Sequence, residues 1–296
     1  MGPDREELLS LARSLRAETR RRAWNGRRQI AARKQPAAAP PRAEPARAGA
    51  APAERARAEP SRAEPARAGP APAGPARTPA DVRGQAAACG DLASLAAAVA
   101  RCEACVLART RTQTVFQDGT MAGASRSGLT FVGEAPGADE DRQGVPFVGR
   151  AGGLLTDIIT KGMGLARSDV HIANVIKCRP PENRDPTVQE KATCTPWLER
   201  QLELTSPRVI VPLGKHAANT LLDLPPETPM GRTRGKVHVR AGRTIVPTYH
   251  PAYLLRSPGE KKACWSDIQV AMGVLGLEPP APREAAEPPA KRDFRS

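Results

Sequence analysis

The sequence predicts an α/β fold for its C-terminal two thirds, a three-layer α/β/α arrangement around a central, mostly parallel four-stranded sheet. Three observations lead there. Short apolar runs at residues 129–132, 170–176, 209–213 and 244–248 have the length and the flanking turns of buried strands. Stretches with helical spacing, 151–161, 187–204 and 215–222, lie between them, after a short Ala-rich helix at 91–101. Aromatic residues make up only 3% of the chain and fall mostly beyond residue 115, so large side chains for a core are available only there. Strands that alternate with helices pair in parallel, and the loops after their C-terminal ends gather at one edge, where a site is expected.

The front of the chain is a different material. The formal net charge over 296 residues is +14, and most of the excess lies before residue 85. Leu8, Leu11 and Leu15 repeat at helical spacing ahead of Arg20-Arg21-Arg22 and Arg27-Arg28. Residues 1–35 therefore read as a basic helix, either simply solvated or bound to nucleic-acid phosphate or an acidic protein. Residues 36–88 are almost wholly Ala, Pro, Arg, Glu and Gly, and Arg-Ala-Glu-Pro-Ala-Arg-Ala-Gly occurs twice, from Arg42 and from Arg62. Proline recurs too often for a helix and the apolar side chains are too small to offset chain entropy, which predicts a disordered linker. A folded domain is expected over 89–277 and a disordered tail over 278–296. No run of about 18 apolar residues occurs and charges follow Met1 closely, so the expectation is a soluble, cytoplasmic, monomeric protein with no membrane partner. Six cysteines are too few for a disulfide scaffold, and in a reducing compartment they are thiols or metal ligands.

Four groups of residues carry chemistry. Cys102 and Cys105 form a close pair, and Cys178 and Cys194 follow from distant segments. Such a set closes a four-thiolate cage for tetrahedral zinc or a [4Fe-4S] cluster, and spacing alone does not choose between them. Cys89 and Cys264 fit no such pattern and read as ordinary thiols. Residues 131–152 are a strand running into a Gly- and Pro-rich loop with Glu134 at the strand end and Asp139, Glu140 and Asp141 behind it. Gly133, Gly137, Gly144, Gly149 and Gly152 permit close approach of backbone to a ligand, and Pro136 and Pro146 stiffen the loop. Asn174 precedes Lys-Cys-Arg-Pro-Pro, so a polar reader of small rings shares a segment with Cys178. His250 sits at the tip of a strand in Tyr-His-Pro-Ala-Tyr-Leu-Leu-Arg, whereas His171, His216 and His238 read as structural.

Taken together, these blocks resemble the family 4 uracil-DNA glycosylases, the iron-sulfur members of the uracil-DNA glycosylase superfamily. The resemblance runs from about residue 92 to 277. It rests on Gly-Glu-Ala-Pro-Gly at 133–137, Pro-Phe-Val-Gly-Arg-Ala-Gly at 146–152, Asn174 with Lys-Cys-Arg-Pro-Pro, His-Pro-Ala-Tyr-Leu-Leu-Arg at 250–256 and the four cysteines, all in the family's order. It implies base excision repair by a monofunctional glycosylase acting on uracil flipped out of single- or double-stranded DNA. It implies Phe147 as the aromatic face under the base, with Gly133 and Ala135 beside it. Asn174 would pair with O4 and N3–H of uracil, and the exchanged donor and acceptor of cytosine would leave polar groups unpaired. His250 would donate to O2 as negative charge gathers on the leaving base. Glu134 would position the attacking water, and Glu140 matches a further acidic position of the catalytic loop. Where the best-known branch of the superfamily has an aspartate just before the loop proline, this chain has Ala135, so Glu134 carries that load alone. Cys102, Cys105, Cys178 and Cys194 would hold a structural [4Fe-4S] cluster. Leu254, Leu255 and Arg256 would form the DNA-inserting loop, and Arg150, Lys177, Arg179, Lys261 and Lys262 would add phosphate contacts.

Other readings meet specific residues. A related branch traps its product through a histidine on a basic insertion and has a histidine at the position of Cys178. Here Lys-Cys-Arg-Pro-Pro leads directly to Glu-Asn-Arg-Asp-Pro, which predicts turnover with no covalent adduct. A non-catalytic metal-cluster module that binds DNA accounts for the charge and the cysteines, but not for Glu134, Phe147, Asn174 and His250 at the strand ends of one layer. A phosphate-binding hydrolase is disfavoured because no Gly-Lys-Ser/Thr follows the Gly-rich loop.

Overall fold

A computed structural model describes residues 78–280. The basic helix expected over 1–35, most of the linker and the C-terminal tail beyond 280 lie outside the described residues. The apolar runs form β1 (Leu129–Gly133), β2 (His171–Asn174), β3 (Val209–Pro212) and β5 (Arg243–Ile245), joined by β4 (His238–Arg240) in one sheet of order β2-β1-β3-β5-β4. The sheet has five strands where four were expected. The first four named pair in parallel, with Phe131 opposite Ile172 and Val211, whereas β4 runs antiparallel to β5 as an edge. That edge escapes a search for apolar runs because its residues are polar or exposed: Val239 is 74% exposed.

The helices are α1 (Pro79–Ala87), α2 (Leu92–Ala100), α3 (Ala138–Gln143), α4 (Arg150–Asp157), α5 (Val188–Thr205), α6 (Lys215–Leu222), α7 (Met230–Thr233), α8 (Pro251–Arg256) and α9 (Lys261–Leu275). Side chains alternate across the strands and feed two cores. Val132, Ala173, Ile210 and Ile245 join Leu95, Val99, Trp197, Leu198 and Leu202 on one side. Phe131, Ile172, Val209 and Val211 join Leu155, Ile159, Ile268 and Met272 on the other. These two cores make the three layers.

Three local differences separate the fold from the sequence reading. Helix α1 lies inside the segment read as linker, because Thr78 and Asp81 form a capping box, Pro79 fits the first helical position, and Val82 and Ala86 are buried in the core that α5 contributes to. The helix expected over 151–161 is α-helical only to Asp157 and continues as a π-turn, Ile158–Gly162. The strand expected over 244–248 ladders only through Ile245 and then makes a single bridge, Thr248 to Leu213. The chain leaves β1, β2, β3 and β5 at the same edge of the sheet, so Glu134, Asn174, Gly214 and His250 emerge together.

Candidate active site

Gly133 ends β1 directly opposite Asn174 at the end of β2. A Cβ on Gly133 would run into Asn174 Oδ1 and the Phe147 ring, so both side chains converge over this glycine. Asn174 is 2% exposed and its Oδ1 is buried without a hydrogen-bond partner. An orphaned buried acceptor costs about 1–3 kcal/mol, and a ligand N–H facing it would recover that loss. Lys177, expected on phosphate, is instead fully buried: its Nζ donates to the Asn174 carbonyl at 2.9 Å and to Gln201 Oε1 at 2.6 Å. It props the segment that carries Asn174 and does not reach solvent. Ala135 follows the strand end and packs against the first core.

Phe147 has φ 55°, in the left-handed region, where a bulky residue is strained by roughly 1–3 kcal/mol and persists only if its surroundings fix it. Two side chains do so. Glu140 Oε1 accepts from Val148 N at 3.2 Å and Gly149 N at 3.1 Å, while Oε2 accepts from Gly137 N at 3.1 Å. Glu140, expected among the catalytic groups, thus has both oxygens engaged by the loop backbone. Arg167 donates to the Pro146 carbonyl at 2.9 Å and pairs with Asp118 at 2.7 Å, a support not visible in the sequence. Gly152 sits beneath: any Cβ there would strike the Phe147 carbonyl. Gly152→Ala is expected to cost about 3 kcal/mol, lowering Tm by roughly 6–12 °C in a domain of this size, measured by calorimetry.

Glu134 follows Gly133 on the loop, its side chain 19% exposed and its Oε1 without a hydrogen-bond partner. Burial pushes its pKa up to about 7, against the pull of the Lys191 ammonium, whose Nζ is 3.8 Å from Oε1. His216 Nδ1 lies 3.4 Å from the same oxygen and His216 Nε2 lies 3.4 Å from Asp185 Oδ2. Reading His216 as structural therefore missed a neighbour of the site. The signal was its place in the first turn of the helix that follows β3, at the same sheet edge as the other groups. His171 is buried at 1% exposure with neither ring nitrogen hydrogen-bonded, and His238 Nε2 lies 2.9 Å from the Thr233 carbonyl.

His250 caps α8, and its Nδ1 accepts from Ala252 N at 3.1 Å. Nδ1 is therefore unprotonated and the ring's hydrogen is on Nε2. Burial, with the Arg256 charge nearby, pulls the pKa down to about 4, so the imidazole is neutral at pH 7. Its centroid is 5.6 Å from that of Phe147, which places a neutral N–H donor beside the aromatic face.

Cys102 and Cys105 come from the turn after α2, Cys178 from the segment after β2 and Cys194 from α5, and all four line one small cavity with Val99, Ala104 and Trp197. Arg111 donates to Cys178 Sγ at 3.1 Å and Lys177 N to Cys194 Sγ at 3.4 Å. Burial raises the Cys178 pKa to about 11 and that of Cys194 further still. Four thiols in an apolar wall, with N–H donors aimed at two of the sulfurs, fit an anionic metal–thiolate group. Cys89 and Cys264 lie outside this cavity.

On the surface, Leu254 is 1% exposed and belongs to the second core, so it is not available as a wedge; Leu255 at 38% and Tyr253 at 37% are the exposed apolar groups of α8. Arg150 opens α4, Arg256 closes α8, and Lys261 and Lys262 open α9, all exposed. Arg179 is half-buried and donates to Asn183 Oδ1 at 2.8 Å. No helix among the described residues is long and apolar enough to cross a membrane.

The parallel sheet brings an aromatic face, an orphaned amide oxygen, a half-buried carboxylate and a neutral imidazole to one edge, and the sequence profile of the uracil DNA glycosylase superfamily matches residues 121–269. Within it, the chain is 43% identical over 183 residues to the type-4 uracil-DNA glycosylase of Thermotoga maritima, covering 61% of this chain and 92% of that protein. It is 40% identical over 186 residues to the type-4 enzyme of Archaeoglobus fulgidus, covering 60% and 90%. A type-5 uracil-DNA glycosylase of Pyrobaculum aerophilum is 34% identical over 138 residues, 45% of this chain and 57% of that one. The chain belongs to the type-4 uracil-DNA glycosylases.

Proposed function

We propose that the protein hydrolyses the N-glycosidic bond of uracil flipped out of DNA, leaving an abasic site for base excision repair. The buried, unpartnered Asn174 Oδ1 beside Phe147 carries this reading, since it wants an N–H in the plane of a stacked ring, as uracil N3 supplies. The Asn174 amide would face O4. As the bond to C1′ lengthens, charge moves onto O2, where His250 Nε2–H donates; Glu134 accepts a proton from the water that attacks the sugar and its charge favours the oxocarbenium ion. Glu140 and Arg167 hold Phe147 in place and touch no reacting atom. Leu255 and Tyr253, flanked by Arg256, take the part of the DNA wedge, with Arg150, Lys261 and Lys262 on phosphate.

Cys102, Cys105, Cys178 and Cys194 would hold a [4Fe-4S] cluster, which supplies a structural tie between α2, the β2 loop and α5; bond hydrolysis moves no electron. Cys178→Ser is expected to abolish the visible iron-sulfur absorbance and lower Tm by at least about 5 °C, read by iron content and calorimetry. Zinc in place of iron in the purified wild type would replace the cluster by a zinc site.

The test of the function is release of uracil from a labelled single-stranded oligonucleotide, followed by alkaline cleavage of the abasic site, with cytosine and thymine oligonucleotides beside it. Cleavage of the uracil strand alone is expected. No cleavage by metal-replete protein would overturn the reading in favour of a DNA-binding module.

A further inference from the structure

We infer that His216 is a positioning residue for Glu134, a bridge that holds the water-activating carboxylate and ties it to Asp185. The inference rests on the uracil-excision reading and extends it to a residue outside the motifs that define the site. The imidazole stands between two carboxylates, with Nδ1 3.4 Å from Glu134 Oε1 and Nε2 3.4 Å from Asp185 Oδ2. Glu134 Oε1 is buried without a hydrogen-bond partner although His216 Nδ1 is within reach, so a rotation of the imidazole that aims its N–H at the oxygen satisfies it. Contacts of this kind tighten when a nucleotide fills the pocket and expels water.

A metal ion is the competing account of the cluster. Among the described residues, Glu134, Asp185 and His216 do bring one ligand atom each within 4.8 Å of one another. Yet each ring nitrogen faces a different carboxylate, and an imidazole gives a metal one nitrogen only. A neutral ring has one N–H, and with that hydrogen on Nδ1 the donor stands on the Glu134 side.

Every facing element contributes charge. Lys191 of α5 places Nζ 3.8 Å from Glu134, Lys215 precedes His216 on α6, and Asp185 comes from the loop after β2. Burial, helped by the Lys191 and Lys215 charges, holds the His216 pKa below the usual imidazole value against the opposing pull of Asp185. The outer end of the bridge is open, with the Asp185 side chain 75% exposed, and the inner end is enclosed with Glu134 at 19%. An N–H donated at the inner end stabilises the ionised form of Glu134, the form that accepts the proton of water.

The experiment compares wild type, His216→Leu and His216→Asn. Leucine removes the donor; asparagine keeps an N–H near the Nδ1 position and does not titrate. Two readouts are taken: the pH profile of single-turnover uracil release, and an NMR titration of the 13C-labelled Glu134 carboxyl in DNA-free protein. For His216→Leu we expect about a tenfold lower plateau, an acid limb and a Glu134 pKa raised by roughly one pH unit, and unchanged KM and Tm. For His216→Asn we expect a plateau within about threefold of wild type and a limb close to the wild-type position. Superimposable profiles for His216→Leu and wild type would overturn the bridge, as would an asparagine variant as poor as the leucine one with an unmoved Glu134 pKa. Inactivation by a chelator reversed by zinc would overturn it in favour of a metal centre. The NMR titration reads the bridge even if the wild type releases no uracil, so failure of the bridge and failure of the function are separable.

Discussion

Glu134→Gln is expected to lower the single-turnover rate of uracil release by about 10²–10⁴-fold with DNA binding retained, measured on one oligonucleotide by product formation and by anisotropy. Glutamine keeps the size and one oxygen of the side chain but cannot take a proton from water. The wild-type rate carries the signature of the ionised form. With the Glu134 pKa pushed up to about 7 by burial, the carboxylate is the minority form below neutrality. The acid limb then falls about tenfold per pH unit below 7, because the active species is the deprotonated one. Removal of the group removes the limb, so the Glu134→Gln profile is flat between about pH 5 and 8. His250 does not add a second limb in that window, since burial and Arg256 hold its pKa near 4. A limb that persists in Glu134→Gln would assign the titration to another group.

Much of this arrangement was legible before any coordinates, and the reasons are particular. The strands at 129–132 and 209–213 stand out because both faces are buried, so β-branched and aromatic residues run without interruption. The convergence of Glu134, Asn174 and His250 followed from parallel topology alone, which puts strand C-terminal ends at one edge. What stayed hidden was set by contacts between distant segments. The edge strand β4 has no apolar pattern to betray it. Helix α1 looks like the low-complexity sequence in front of it until Val82 and Ala86 find the core shared with α5. Lys177 and Leu254 are a cation and an apolar residue in segments that suggested DNA contact, yet tertiary packing turns both inward: one beneath Asn174, the other against the second core. Glu140 matched an acidic motif position, but only the folded loop reveals that Val148, Gly149 and Gly137 occupy its oxygens. His216 lies outside every recognisable block, and only its place in the first turn of the helix after β3 hinted at what the distance to Glu134 shows.

The inward-facing groups also bear on how the site keeps its shape. Phe147 is held in a strained backbone conformation by Glu140 on one side and Arg167 on the other, with Gly152 beneath it. Asn174 is fixed by its strand register and by Lys177 under its carbonyl. The proposed base pocket is thus held in shape by the protein itself, an arrangement that spares binding energy from ordering it. Preorganisation of this kind matters most where charge develops late in the reaction, and in the proposed mechanism that is at His250.

His250→Ala is accordingly expected to lower the single-turnover rate by about 10²–10³-fold, equivalent to roughly 3–4 kcal/mol, with little change in affinity for uracil-containing DNA. The asymmetry between rate and affinity follows from the donor being neutral. A neutral N–H gains modestly against the carbonyl O2 of bound uracil and strongly against the anionic O2 of the departing base. Ala252 N fixes the tautomer by occupying Nδ1, so Nε2 carries the hydrogen without a competing form. His250→Gln, which offers an N–H on a flexible stem, recovers part of the rate; His250→Ala recovers none. The pH profile decides between a neutral and a charged donor. If the imidazole were cationic, activity would decay as pH rises through its pKa. With the pKa near 4, wild type keeps its plateau from about pH 7 upward, and the decisive result is a plateau in wild type paired with a pH-independent loss in His250→Ala across that range.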